Sequence, residues 1–292
     1  ERVFAPWTDM ESQMRARSLP LFTLESKRPV SEFDLLGFSL QYEMINTNVL
    51  NMLDLAGIPI FAADRRPGQP FVIGGGPCVY NAEPVAEFFD LFVLGEGEEV
   101  LPEVVEALIA WKRTGGAGGR TGFLKQAALI AGVYVPAFYD VAYAADGAFA
   151  GIAPNCPEAS PVITKRLVKD LDAVPTATKP VVPFIDIVHD RLMLELFRGC
   201  TRGCRFCQAG VLYRPVRERR PDKLLELAEK LVASTGYSEI SLTSLSSADY
   251  SGLNDLVGTL LDRFGQRGIS ISLPSLRIDS FSIELAQKIQ AV

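Results

Sequence analysis

The sequence predicts an α/β protein with one parallel sheet in each half. Three observations carry this. Short, continuously apolar runs alternate with amphipathic segments, as in strands buried on both faces by crossover helices. The alternation breaks at a proline-rich stretch and then resumes. Three of the five cysteines fall within eight residues, just after the first strand of the second run.

In the front half, Val3–Ala5, Leu21–Leu24, Phe33–Leu40, Phe71–Ile73 and Leu91–Leu94 read as strands. Met10–Arg17, Glu43–Leu55, Pro84–Phe88 and Glu98–Lys112 read as helices between and after them. Five strands in this alternation predict a doubly wound domain over residues 1–113, flavodoxin-like in order, with ligands beyond the carboxyl ends of the strands. Gly74, Gly75, Gly76 and Pro77 leave one such end, and Gly95, Glu96, Gly97 and Glu98 leave another. Consecutive glycines let backbone and ligand approach closely, and serve equally well in a tight strand-to-helix turn. Their spacing is not that of a dinucleotide fingerprint. The three glutamates at 96, 98 and 99 suit a helix N-terminus.

Residues 114–183 read as a hairpin and connector. Thr114–Thr121 is glycine-rich, Phe123–Ala131 is a short segment, and Gly132–Val135 and Ala137–Tyr143 read as a strand pair closed by Asp146-Gly147. Prolines recur from there to Pro183. The second run occupies 184–292: strands at Leu192–Phe197, Glu239–Thr243 and Ile269–Leu273, helices at Asp222–Ser234, Leu253–Phe264 and Ile283–Ile289. Three βα units begin a parallel barrel or open sheet. The chain begins with Glu1 and ends within a helical pattern, and is expected to be a truncated portion of a longer protein.

Composition narrows the function. At 292 residues, 48% hydrophobic and 22% charged, the chain has material for more than one core. A net charge of −6 argues against a generally basic nucleic-acid binder. No apolar run reaches the roughly 18–20 residues a membrane span needs, so a cytoplasmic protein is expected. An odd cysteine count with three clustered indicates a metal site in a reducing compartment, not a disulfide framework.

The cluster reads Arg198-Gly199-Cys200-Thr201-Arg202-Gly203-Cys204-Arg205-Phe206-Cys207. Three thiolates at this spacing can converge on one centre, and soft ligands select zinc or iron–sulfur. Gly199 and Gly203 let the chain wrap round it, while Arg198, Arg202 and Arg205 favour thiolates and offset a cluster's negative charge. A cubane with three protein ligands keeps one iron open, which marks chemistry more than architecture. The competing structural site, Cys3His zinc, would need His189, the single histidine, from eleven residues upstream. Cys78 and Cys156 read as small buried apolar residues.

Cys200, Cys204, Phe206 and Cys207, at the end of the first strand of a βα repeat, resemble the motif of the radical S-adenosylmethionine (SAM) superfamily. The resemblance implies a partial (β/α)6 barrel and a 4Fe–4S cluster on Cys200, Cys204 and Cys207. It also implies reductive SAM cleavage to a 5′-deoxyadenosyl radical, with electrons from an external donor such as flavodoxin or ferredoxin. SAM contacts would come from Phe206, from Ser244, Ser246 and Ser247 after the second strand, and from Arg277 after the third. The serines stand where relatives carry glycines, and read equally well as a cap for the helix at Leu253; Arg277 reads equally as a solvated loop residue. No side chain is assigned a catalytic role.

The front half resembles the cobalamin-binding domain of one branch of the superfamily, on the turns at Gly74–Pro77 and Gly95–Glu98. The segments Gly132–Pro136 and Val188–Arg191 resemble a family of that branch with unassigned substrate. This implies cobalamin contacts at Gly74, Gly75, Gly76, Gly95 and Glu96. The loop Pro6–Glu11 has no histidine, so it would offer cobalt no histidine ligand. The implied reaction is methyl transfer or rearrangement on an unknown substrate. The alternatives are cobalamin-independent radical modification of RNA or protein, and a non-catalytic three-cysteine metal module. Arg214, Arg217, Arg219 and Arg220 form a basic run that fits either an anionic substrate such as RNA or a solvated helix start.

Overall fold

A computed structural model describes residues 1–185, 187–277 and 283–290 of the chain, which divides into two units, Glu1–Leu167 and Val168–Val292. No helix among the described residues is long and apolar enough to cross a membrane.

The front unit is built on a four-stranded sheet of β1 (Leu35–Ser39), β2 (Phe71–Gly75), β3 (Leu91–Val93) and β4 (Val133–Tyr134), in that order. The first three strands are parallel, and β4 runs antiparallel to β3. Apolar residues cover both faces, as continuous apolar strands require. One face packs against Met14 of α1 (Thr8–Ala16) and Val49, Met52 and Leu53 of α2 (Asn46–Leu55). The other packs against Val100, Val104 and Leu108 of α3 (Gly97–Arg113) and Phe123 and Ala127 of α4 (Gly119–Ala128).

This corrects the predicted flavodoxin-like order. Two of the five expected strands are absent: Val3–Ala5 joins no strand, and within Leu21–Leu24 only Phe22 makes an isolated bridge, to Pro29. Outside any sheet, Leu21 N–H donates to the Leu55 carbonyl and Val30 N–H to that of Leu21. Helices do lie on both faces, but the three parallel strands follow one another in chain order. The expected pair of Gly132–Val135 with Ala137–Tyr143 is also not formed. Val133–Tyr134 joins β3, and β5 (Tyr139–Tyr143) pairs instead with β6 (Phe149–Pro154) around the turn at Asp146-Gly147.

A buried ion trio holds the amino-terminal ends of β2 and β3. Asp90 accepts Arg65 Nη1 at 2.7 Å and Arg120 Nη2 at 2.8 Å, and the Val72 N–H at 2.8 Å. Arg65 also donates to the carbonyls of Pro59, Ile60 and Phe88, and Arg120 to those of Gln69 and Pro70. Burial pushes the Arg65 pKa down and the Asp90 charge opposes it.

The second unit carries a parallel sheet of β7 (Leu192–Glu195), β10 (Glu239–Thr243) and β11 (Ser270–Ser272), with β10 in the middle. Between β7 and β10 lie β8 (Phe197–Arg198), α5 (Ala209–Leu212), β9 (Arg217–Glu218) and α6 (Pro221–Thr235); α7 (Leu253–Phe264) and α8 (Ile283–Gln290) flank β11 in sequence. Helix α6 begins at Pro221, whose missing N–H costs nothing there, and ends at Gly236 in the left-handed region. Strand alternation sends Leu192, Leu194, Ile240, Leu242 and Ile271 into the core under α6 and α7. The opposite face carries Met193, Glu195, Ser241, Thr243, Ser270 and Ser272, so it is largely polar.

Tyr250 joins this core to β9, its hydroxyl donating to the Arg219 carbonyl at 2.8 Å. Burial, and then the charges of Glu218, Asp172 and Asp222, push its pKa up to about 12. A free tyrosine titrates near about 10, so the folded state favours the neutral phenol. That contribution is complete below about pH 10 and is lost as pH rises through about 12. Tyr250→Phe is expected to flatten the fall in stability across that window in alkaline denaturation. An unchanged profile would refute the assignment.

Candidate metal and SAM site

The three cysteines lie in the loop between β8 and α5, all partly buried. The loop is held at its base by close backbone approach. Gly199 has φ +91°, and a Cβ there would stand 2.6 Å from the Pro215 carbonyl oxygen and 2.8 Å from that of Tyr213, so only glycine fits. Arg214 Nε donates to the Cys200 carbonyl at 3.2 Å, and Cys207 N–H to the Cys204 carbonyl at 3.0 Å. Among the described residues no three Cys, His, Asp or Glu side chains stand gathered round a metal position. The donor set nevertheless suits an iron–sulfur centre: three partly exposed thiols, with Gly199 and Gly203 in the left-handed region.

The arginines are distributed differently from the sequence expectation. Arg198 pairs with Glu195 at 2.8 Å, and Arg202 forks onto Asp249, with Nε–Oδ2 at 2.7 Å and a second, shorter contact from Nη2 to Oδ1. Arg277 reaches a thiol, its Nη1 lying 4.0 Å from Cys204 Sγ. Arg202 holds the Asp249 carboxyl below the usual range. Phe206 is 92% exposed beside Cys207, available to a flat ligand.

The basic run is tied into its own unit. Arg214 bonds the cysteine loop, Arg217 donates to the Val168 carbonyl at 2.6 Å, Arg219 is buried against the Leu171 carbonyl and Glu195, and Arg220 pairs with Asp172 at 3.0 Å.

The serine loop follows β10. Ser244 and Ser247 hydroxyls lie 3.0 Å apart, Ser246 N–H donates to Ser244 Oγ, and Ser247 Oγ donates to the Leu242 carbonyl. These hydroxyls shape the loop; α7 starts at Leu253, with Gly252 at its N-cap and no side-chain cap, so the capping role is not theirs. Arg277 and the loop share one neighbourhood, since the Arg277 charge also lowers the Asp249 pKa, after Arg202. Asp249 and its pairing with Arg202 were missed by sequence reasoning. Forty-seven residues separate them, and no spacing rule connects them.

In the front unit, Gly74, Gly75, Gly76 and Gly95 line one cavity of about 320 Å3 at the carboxyl ends of β1–β3, together with Gly37, Ser39 and Leu101. Glu96 is not among its lining residues; its N–H bonds the Arg166 carbonyl at 3.0 Å. Chain packing explains some of these glycines. A Cβ on Gly74 would strike the Phe92 ring, and one on Gly95, at φ +103°, would strike the Arg166 carbonyl. Gly75 is different: a Cβ there would meet nothing closer than 4.0 Å, so it leaves open space in the cavity.

Residues 1–136 match the family described as radical SAM proteins, N-terminal, and residues 194–292 match the radical SAM superfamily. A protein of Methanocaldococcus jannaschii, "Uncharacterized protein MJ0966", is 28% identical over 279 residues, 94% of this chain and 51% of that protein. The chain thus spans about half the length of this curated relative. Among solved structures, the radical SAM methyltransferase TsrM from Kitasatospora setae, with cobalamin and a [4Fe-4S] cluster bound, aligns with a TM-score of 0.50 at 15% identity. That alignment covers 97% of this chain and 51% of TsrM. The cobalamin-dependent SAM radical enzyme OxsB, with aqua-cobalamin and SAM bound, aligns with a TM-score of 0.50 at 15% identity, over 83% of this chain and 30% of OxsB. At that identity the likeness is one of fold.

Proposed function

We propose that this chain, which belongs to the radical SAM superfamily, carries the cluster- and SAM-binding part of a radical SAM enzyme, with Cys200, Cys204 and Cys207 as the cluster ligands. The observation that carries the reading is the loop itself: three partly exposed thiols beyond the first strand of a parallel βα sheet, with Arg277 at Cys204. A 4Fe–4S cluster held by these three thiolates would supply the electron for reductive cleavage of SAM. The protein's own part is to hold and orient. Gly199 and Arg214 fix the base of the loop, the Phe206 ring offers a stacking face, and Arg277 supplies a cation for a carboxylate. Ser244, Ser246 and Ser247 shape the loop that faces SAM.

The front unit is read as a cobalamin-binding-type domain, so the full reaction is methyl transfer or rearrangement on an unknown substrate. Gly74, Gly75, Gly76 and Gly95 would line the site for cobalamin, which would supply the group-carrying chemistry. A cavity of about 320 Å3 is at the small end of ligand sites, roughly 300–1,000 Å3. It suits a side arm of the cofactor rather than its whole ring system, with Gly75 providing the space. Gly75→Val, in extended backbone, fills that space without straining the strand. It is expected to abolish cobalamin retention, read from the visible spectrum, while far-ultraviolet circular dichroism stays unchanged. Retention equal to wild type would remove Gly75 from the site.

The reaction class is tested by incubating the anaerobically reconstituted, reduced chain with SAM. Formation of 5′-deoxyadenosine and methionine supports it, and S-adenosylhomocysteine formed only with cobalamin supports methyl transfer. A fully loaded protein that forms none of these products would contradict the proposal.

A further inference from the structure

We infer that the Arg202–Asp249 ion pair couples the cysteine loop to the loop after β10, making Asp249 a positioning residue for SAM binding; this rests on the function proposed above. Arg202 sits between Cys200 and Cys204, and Asp249 closes the 3-10 turn Ser247–Asp249 that begins at the last of the three serines. The contact is a two-point fork from Nε and Nη2 to both carboxylate oxygens, which fixes direction as well as distance. On the Asp249 side the turn is closed by Asp249 N–H donating to the Ser246 carbonyl at 2.9 Å, and pinned to β10 by Ser247 Oγ, which donates to the Leu242 carbonyl. On the Arg202 side the loop is anchored at Gly199 and Cys200. The fork therefore joins two anchored loops, one bearing the proposed cluster ligands and the other the proposed SAM contacts.

Exposure decides what such a pair can do. The two side chains are 39% and 23% exposed, and a pair this open adds little to fold stability. Its effect lies in relative position: a ligand touching both loops binds best when they are already held together, because less ordering remains to be done on binding. Loss of either partner removes the fork, so both changes are expected to weaken binding of the shared ligand.

The test is SAM affinity of the reconstituted full chain, measured by equilibrium binding, with iron and sulfide content and thermal midpoint followed in parallel. Asp249→Asn and Arg202→Gln are each expected to weaken SAM binding about tenfold, with cluster content and midpoint near wild type. The double variant is expected to be no worse than either single one, and the exchange Arg202→Asp with Asp249→Arg to recover part of the affinity. Full SAM affinity in Asp249→Asn, or losses that simply multiply in the double variant, would overturn the coupling. If the wild-type chain with its cluster binds no SAM at all, the proposed function fails first, and the two failures are told apart.

Discussion

Replacing Cys204 with alanine is expected to eliminate SAM cleavage and to lower bound iron and sulfide far below wild type. Three protein thiolates are the minimum that leaves a cubane one open iron, so removing one leaves two iron positions without protein ligands. Cys204 is the most informative of the three. Its carbonyl accepts the Cys207 N–H, which alanine preserves, and its sulfur faces Arg277 at 4.0 Å, which alanine does not. The backbone of the loop is thus expected to survive, and circular dichroism to be unchanged. Wild-type turnover in Cys204→Ala would rule out the cluster assignment. A comparable change at Cys78 or Cys156, both in the front unit, is expected to leave cluster content intact.

Asp90→Ala is expected to cost the front unit about 3–5 kcal/mol, the usual penalty for leaving a buried charge uncompensated. The Arg65 and Asp90 side chains are 0% and 3% exposed, and Arg120 is 12% exposed, so water cannot replace the carboxylate. Five backbone carbonyls remain as acceptors for the two guanidiniums, but they carry no full charge to balance two cations. The Val72 N–H also loses its acceptor. For a unit of this size the loss corresponds to a midpoint lowered by roughly 6–20 °C. The Lys112–Asp34 pair, shorter at 2.6 Å but about half exposed on both sides, is the contrast. Asp34→Ala is expected to change stability by no more than about 1 kcal/mol. Equal effects at the two aspartates would contradict the role given to burial.

The second unit was largely legible in the sequence. Glu239–Thr243 and Leu253–Phe264 are observed at the expected boundaries, because a buried apolar strand between two amphipathic helices leaves few other readings. The front unit was less so. Runs as short as Val3–Ala5 and Leu21–Leu24 cannot be told from apolar turns by periodicity, and both proved to lie outside the sheet. The glycine turns had two readings, and packing alone decides only some positions. Gly95 is required by Arg166, seventy-one residues away, whereas Gly75 opens a cavity. The surroundings of the basic run at 214–220 were not legible for a similar reason. Whether an arginine faces solvent or a buried carbonyl, as Arg219 does, depends on segments far off in the chain. The cysteine spacing was legible because its ligands are close in sequence; the Asp249 contact was not, because its partner is brought there only by the fold.

Electron paramagnetic resonance of the reduced, anaerobically reconstituted chain, recorded with and without SAM, tests the central claim most directly. A cubane signal whose shape shifts on adding SAM is the predicted result, since it requires an iron left open by Cys200, Cys204 and Cys207. A cluster signal indifferent to SAM, or zinc in place of iron, would contradict it and return the three cysteines to a structural role.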